Sequence, residues 1–194
     1  MSKLSAIARS ALYMLLQFII TPPYAILTLM CFPLSPHNRY RVTSSWTRIM
    51  LFLLWHLCGL RYRITGRENI PASPSIILSK HQSAWETLAF QEIFPPQVWV
   101  LKKELLRIPF FGWGLAMLGL HLVVFRQTSP IAIDRSAKKK ALEQIVDQGK
   151  DRIKQGFWIV VFPEGTRIPP GQRGKYRIGG AWLATHTNVP VVPG

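Results

Sequence analysis

The chain begins with a long apolar segment that contains no charged positions. No Asp, Glu, Lys or Arg occurs between Arg9 and Arg39, and residues 11–34 are long enough for a bilayer-spanning helix, which needs about 20 apolar residues. Pro22 and Pro23 lie near the middle. Because each removes a backbone donor and clashes with the preceding turn, the pattern predicts a broken or kinked helix. One kinked span and two half-length helices within one leaflet fit equally well, whereas a signal peptide fits less well because no small-x-small cleavage site follows.

A second apolar segment, residues 49–60, is too short to span a membrane alone. Tryptophans and arginines lie in it or beside it, as in helices at a membrane interface; they are Trp46, Arg48, Trp55, Arg61 and Arg63. The pattern predicts an interfacial helix, with a buried core helix as the alternative. Because both flanks of the first segment are basic, charge does not settle its orientation.

From residue 61 onward, strand patterns alternate with helical ones. The predicted strands cover residues 61–66, 75–78, 97–104, 131–135, 157–162 and 189–194. The predicted helices cover residues 87–93, 136–155 and 179–184. The run at 157–162 is apolar throughout, which indicates a strand covered on both faces. This alternation predicts an α/β domain.

Charge indicates an anionic partner. The 194 residues carry a net charge of +15, with 48% hydrophobic and 17% charged residues. Such a basic chain fits a nucleic acid, or a membrane surface with phosphorylated substrates. The basic residues are dispersed apart from the run at 138–140, and no zinc-finger or RNA-recognition signature is present, so a membrane is favoured over nucleic acid. Cys31 and Cys58 lie in apolar segments, which is typical of buried thiols in a reducing compartment.

A histidine and a glutamate form the first candidate site. His81 stands where the predicted strand at 75–78 hands over to a helix, at the rim of the sheet. Glu86 follows five positions later, about one and a half turns along if the helix begins near Gln82. A carboxylate beside one ring nitrogen fixes the tautomer and leaves the other nitrogen free to accept a proton. An ordinary loop histidine and an ordinary first-turn acid are the alternative.

The hexapeptide Phe-Pro-Glu-Gly-Thr-Arg at residues 162–167 directly follows the apolar strand. Together with His81, it resembles the glycerolipid acyltransferase family, whose first motif is a His, four residues and usually an Asp. Here Glu86 stands at the Asp position. The resemblance covers roughly residues 61–194 and implies a catalytic α/β domain with a mixed sheet flanked by helices. It also implies a membrane anchor of two helices over residues 1–60.

The family's second and fourth motifs also have counterparts. The second is an apolar strand that ends in an arginine, and residues 131–135 fit it with Arg135. Arg126, which follows an earlier apolar run, is the alternative. Residues 189–194 resemble the fourth motif. Because family members continue beyond that motif, we expect the chain to be truncated at its C-terminal end.

The resemblance implies acyl transfer from a thioester, acyl-CoA or acyl carrier protein, to the free 2-hydroxyl of 1-acyl-glycerol-3-phosphate (lysophosphatidic acid). The product is phosphatidic acid, an intermediate of phospholipid biosynthesis. His81 would be the general base, with Glu86 orienting it, and neither a covalent acyl-enzyme nor a metal or cofactor is expected. A guanidinium grips phosphate at two points. The expected substrate-binding residues are Arg135, Glu164, Gly165, Thr166 and Arg167.

The expected partners are therefore a lipid bilayer, lysophosphatidic acid and the thioester carrier, with no nucleic acid. The implied location is the bacterial inner (cytoplasmic) membrane, with the catalytic face toward the cytoplasm. Two alternatives stay open. One is an acyltransferase for another lysolipid. The other is a non-catalytic membrane-anchored module that binds anionic lipid, which needs charge and an amphipathic anchor but not His81.

Overall fold

The computed structural model describes residues 3–31, 33–102, 131–133 and 139–194. Two long helices, α1 (Lys3–Met30) and α2 (Pro36–Cys58), precede the α/β unit. The elements of that unit are a 3₁₀ turn (Arg67–Asn69), β1 (Ile76–Leu78), α3 (Trp85–Ile93), β2 (Gln97–Lys102), β3 (Ile131–Ile133), α4 (Lys139–Lys154), β4 (Trp158–Val161), α5 (Gly179–Thr187) and β5 (Val191–Pro193).

The described strands form one sheet in the order β3-β2-β4-β1-β5, and all of these neighbouring pairs are parallel. Parallel pairing requires a connection that returns the chain to the same end of the sheet, which is the role of the intervening helices. Strand β4 is buried along its whole length, as its unbroken apolar run predicts. The predicted α/β class with flanking helices is confirmed. The described strands are parallel throughout, however, and not mixed as expected.

Helices cover both faces of the sheet. Successive residues of a strand point to opposite faces, and β1 shows this directly. Ile76 belongs to a buried cluster with Ile145 of α4 and Leu183 of α5, whereas Ile77 belongs to a second cluster with Phe90 of α3. With both faces occupied, the carboxyl ends of the strands are left as the open edge, and ligands bind at this edge in open α/β sheets. We call it the carboxyl edge.

The predicted strand at residues 61–66 is wrong. The segment forms no strand, although exposed and partly buried positions alternate along it as its sequence pattern suggests. Its partly buried Tyr62 contacts a side chain instead of a neighbouring strand, because it meets the ring of Trp85 edge-on with ring centroids 5.1 Å apart. Alternation therefore reports one-sided packing of an extended segment, which does not by itself require a sheet partner.

Helix α1 runs without a break through Pro22 and Pro23, so the predicted break into two half-length helices is wrong, whereas a kink within one continuous helix stays a prediction. Two prolines remove two backbone donors, but the surrounding turns remain. The carbonyls left without a helix donor are those of Phe18 and Ile19, four residues before each proline, and the turns on either side carry the helix past them. Residues 3–28 are long and apolar enough to cross a membrane, and many of their large apolar side chains are exposed.

Helix α2 begins well before the apolar segment that predicts it, at Pro36, where the Ser35 hydroxyl caps the helix by accepting the Asn38 N–H. It packs against both α1 and α3. Near its start, the ring of His37 stacks on Phe157, with centroids 4.7 Å apart. Part of α2 is thus joined to the α/β core. Whether α1 and α2 together anchor the chain in a membrane stays a prediction.

Candidate active site

His81 lies at the carboxyl edge, three residues after β1 ends. Its strand is held beside β4, because the Ser79 N–H donates to the Val161 carbonyl at 3.2 Å. The backbone carbonyl of His81 accepts the N–H of Ile168 at 2.8 Å. This bond ties His81 to the segment that follows β4. The predicted position at the rim of the sheet is therefore observed.

The imidazole of His81 is largely covered, with 17% of its side chain exposed. It stacks on the ring of Phe162, with centroids 4.2 Å apart and planes inclined by 16°. Burial lowers the pKa of His81 below its ordinary value of 6.5; Glu86 and Glu164 oppose this shift, whereas Arg167 adds to it. A histidine with a lowered pKa is neutral at neutral pH and so able to accept a proton.

Glu86 serves two structural purposes. Its Oε2 lies 3.9 Å from the Nδ1 of His81, which is close enough for electrostatic interaction but longer than a hydrogen bond. The carboxylate also accepts the N–H of Gln82 at 2.9 Å, and the N–H and the hydroxyl of Ser83 at 3.0 and 2.9 Å. The Ser83 hydroxyl in turn accepts the N–H of Trp85, the first residue of α3, at 3.0 Å, so the two side chains bond the start of α3 reciprocally, as in a capping box. Glu86 is therefore both the first-turn acid of α3 and the carboxylate beside His81.

We expect Glu86→Gln to separate these two roles, because glutamine also serves in a capping box but carries no charge and can present a donor to the ring. Acyl transfer should fall by at least about tenfold, up to the roughly 10⁴-fold loss that the corresponding change causes in a serine-protease triad. Thermal unfolding should be nearly unchanged. Glu86→Asp should be milder.

The matched control for Glu86→Gln is Glu92→Gln, which removes an exposed acid from the other end of the same helix. Activity and melting temperature of all three variants would be measured together. If Glu86→Gln kept wild-type turnover while losing stability, the carboxylate would be a helix cap alone.

Glu164 is buried, with 4% exposure. Its Oε1 accepts the N–H of Gly174 at 3.1 Å, and its Oε2 has no hydrogen-bond partner among the described residues. Gly165 has φ +66°, in the left-handed region that favours glycine. Glu164 thus fixes the loop that follows the motif and leaves one carboxylate oxygen unused.

Thr166 and Arg167 are exposed, and Arg167 is near enough to lower the pKa of His81. At the carboxyl edge, the charges of Glu86, Glu164 and Arg167 therefore all lie close enough to His81 to shift its pKa. Arg135 and its alternative, Arg126, lie outside the described residues.

Two contacts at this site were missed by sequence reasoning. The bond from Ser83 to Glu86 carries a visible signal, because Ser-x-x-Glu before an apolar run is a capping-box pattern. The stacking of Phe162 on His81 carries none, since an aromatic residue at the end of a buried strand is ordinary.

The acyltransferase family model matches residues 61–194, which include every element just described at the carboxyl edge. The chain belongs to the acyltransferase family. The resemblance drawn from the motifs is thereby confirmed.

Among relatives of this acyltransferase, the 1-acyl-sn-glycerol-3-phosphate acyltransferase of Pseudomonas aeruginosa is 45% identical over 195 residues, covering 100% of this chain and 72% of the relative. That of Saccharomyces cerevisiae is 31% identical over 143 residues, covering 71% of this chain and 43% of the relative. The crystal structure of the 1-acyl-sn-glycerophosphate acyltransferase PlsC from Thermotoga maritima matches with a TM-score of 0.69 at 22% identity, over 97% of this chain and 74% of that one. This last match concerns the fold.

Proposed function

We propose that this acyltransferase moves an acyl chain from a thioester donor to the free 2-hydroxyl of 1-acyl-glycerol-3-phosphate and so forms phosphatidic acid. The substrate assignment is supported by the relatives, which are named for this reaction and one of which is 45% identical over the whole chain. The chemistry is supported by one observation above all. A histidine with a lowered pKa lies beside a carboxylate at the carboxyl edge of the sheet.

The reaction needs a base because an alcohol is a poor nucleophile until it loses its proton. The neutral His81 accepts that proton as the hydroxyl oxygen attacks the thioester carbonyl. The new C–O bond forms, the C–S bond breaks, and the proton leaves with the thiol. Glu86 orients the imidazole through Nδ1. For this bond the 3.9 Å gap must shorten by roughly 1 Å on substrate binding, as catalytic hydrogen bonds often do.

The substrate phosphate is held by arginines at the same edge. Arg167 is exposed at the end of the motif, and we assign Arg135, in preference to Arg126, as its partner. Gly165 lets the backbone approach the ligand closely, with Thr166 beside it. The remaining oxygen of Glu164 is a suitable acceptor for a glycerol hydroxyl. Acyl-CoA or acyl carrier protein is the co-substrate, and the proposed chemistry needs no metal or cofactor.

We place the enzyme at the inner membrane of a bacterium, with the catalytic face toward the cytoplasm, where thioester donors are made. The exposed apolar surface of α1 supports membrane association. The lipid acceptor and product both reside in the bilayer, so an anchored enzyme meets its substrate by diffusion within the membrane.

A panel of lyso-acceptors tests the assignment. Membranes containing the full chain would be supplied with labelled acyl-CoA or acyl carrier protein and with 1-acyl-glycerol-3-phosphate, its phosphate-free analogue or a lysolipid with a different headgroup. We expect the phosphate monoester to be preferred over the phosphate-free analogue by roughly 10- to 150-fold in kcat/KM, the value of one charge-assisted contact. Preference for another headgroup would indicate a different lysolipid acyltransferase.

A further inference from the structure

The segment after the Phe-Pro-Glu-Gly-Thr-Arg motif, residues 169–178, forms a loop that we call the basic loop. It is tied to the active site at three places. The ammonium of Lys80 donates to the carbonyl of Gln172, Gly174 donates to Glu164, and the Arg177 N–H donates to the Pro163 carbonyl at 2.8 Å. The backbone of the basic loop is therefore held at the carboxyl edge, next to His81.

The side chains of the basic loop face outward. Arg173, Lys175 and Arg177 are all exposed, and no acidic residue follows Glu164 in the sequence. Tyr176 and Ile178 stand between and beside these cations with 69% and 62% of their surface exposed. Among the described residues beyond Leu60, the exposed large apolar side chains are these two and Val191, and Val191 is the least exposed of the three at 44%. Cations interleaved with an aromatic and an aliphatic side chain are typical of segments that contact a membrane interface.

The amino-terminal end of α1 lies toward the same edge. Helix α2 starts beside Phe157, before β4, and the chain beyond its end reaches Trp85 at the carboxyl edge. Helix α1 returns antiparallel to α2, with the Tyr24 hydroxyl 3.0 Å from the Ser45 hydroxyl. Both helices rise equally per residue. The 13 residues from Ser45 to the end of α2 at Cys58 therefore match the 13 residues from Tyr24 back to about residue 11 of α1, and these two positions lie side by side. The first turns of α1, with exposed Leu4 and Ile7, therefore extend beyond α2 on the side of the basic loop.

We propose that residues 173–178 form a second membrane-contact surface, which docks onto anionic lipid headgroups and holds the carboxyl edge against the bilayer. The occupant is a bilayer with anionic lipid, because the cations match its charge and the exposed tyrosine and isoleucine match its interface. The surface continues the one that α1 offers. The proposal needs the chain to be membrane-bound, but it does not depend on acyl transfer.

Fluorescence quenching by lipid measures this docking directly. The full chain, with Cys31→Ala and Cys58→Ala, would carry an environment-sensitive fluorophore at Ile178→Cys or, as the control position, at Asp151→Cys near the opposite edge. It would be reconstituted into brominated phosphatidylcholine vesicles with and without phosphatidylglycerol. We expect quenching at position 178 to be at least about threefold stronger with phosphatidylglycerol and to weaken in high salt. Quenching at position 151 should be slight in both.

Matched charge removals test the role of the cations. Arg173→Gln with Lys175→Gln should weaken docking of the loop by about 25-fold, or fivefold per charge, whereas Lys150→Gln with Lys154→Gln on α4 should leave it unchanged.

If the cysteine-free chain fails to fold, trypsin cleavage after Arg173 and Lys175 in the wild-type chain replaces the fluorophore, and anionic vesicles should slow it. Equal quenching in both kinds of vesicle would overturn the role of anionic headgroups, and no quenching would overturn the membrane contact. Shielding by an acidic protein alone would make the loop a protein-docking surface. Acyl transfer measured on the same vesicles keeps these outcomes separate from the proposed function.

Discussion

Replacing His81 by alanine is expected to lower acyl-transfer turnover by roughly 10²–10⁴-fold, the usual value of general acid–base catalysis. The reason is geometric and electrostatic. The imidazole stacks on Phe162, lies beside Glu86 and has a pKa lowered by burial, so it is the described group best prepared to accept a proton. Expression and membrane binding should not change. Turnover would be measured with saturating lysophosphatidic acid and thioester.

The pH profile of the wild-type enzyme supplies a second measurement of the role of His81. Because the base must be neutral, the rate should be constant above the pKa and fall by about tenfold per pH unit below it. Since burial lowers that pKa, the midpoint should lie below 6.5. His186→Ala, which removes an exposed histidine of α5, is the control and should leave the profile intact. Near-normal turnover in His81→Ala would show that His81 is not the general base and that acyl transfer proceeds without it.

Replacing Arg167 by alanine is expected to raise the KM for lysophosphatidic acid by roughly 10- to 150-fold, because one charge-assisted contact with phosphate is lost. The KM for the thioester should change little. Arg167→Lys should be intermediate, since lysine keeps the charge but lacks the two-point fork. Because Arg167 lowers the pKa of His81, Arg167→Ala should also move the midpoint of the pH profile upward.

The control for this series is Arg63→Ala, which removes another exposed arginine and should leave both KM values unchanged. Arg135→Ala is expected to behave like Arg167→Ala, and Arg126→Ala to change either KM by less than about threefold. If Arg167→Ala left both the acceptor KM and the midpoint of the pH profile unchanged, Arg167 would neither bind the substrate phosphate nor influence His81. If Arg126→Ala raised the acceptor KM strongly and Arg135→Ala left it unchanged, Arg126 and not Arg135 would be the arginine of the second motif.

Local patterns predict much of the α/β unit. The apolar run at 157–162 contains β4, and the position of His81 between a strand and a helix is as expected. These features depend on neighbours in sequence, so a pattern can report them. The prediction of a strand at 61–66 was wrong because an alternating pattern shows that one side of the segment is packed, but not whether a strand or side chains pack against it.

Other features depend on contacts between distant segments, which no local pattern encodes. The bond from Lys80 to Gln172 and the stack of Phe162 on His81 are of this kind. The continuity of α1 through Pro22 and Pro23 is different again. The hydrogen bonds and packing of the other turns of α1 together outweigh the local cost of the two prolines. The proximity of His81 and Glu86 was predictable, but the 3.9 Å gap and the capping bonds of the carboxylate were not.

Strand β1, which ends three residues before His81, pairs with strands that come much later in the chain. Ile76 of β1 pairs with Ile159 on one side and with Val191 on the other. At a synthesis rate of about 5–20 residues per second, β1 leaves the ribosome seconds before either neighbour exists. Both of its backbone edges are unpaired during that interval, and unpaired strand edges invite association with other chains. His81 therefore takes up its position only after β4 and β5 have been synthesised, and a nascent chain arrested before β4 would lack the assembled site and be prone to aggregate.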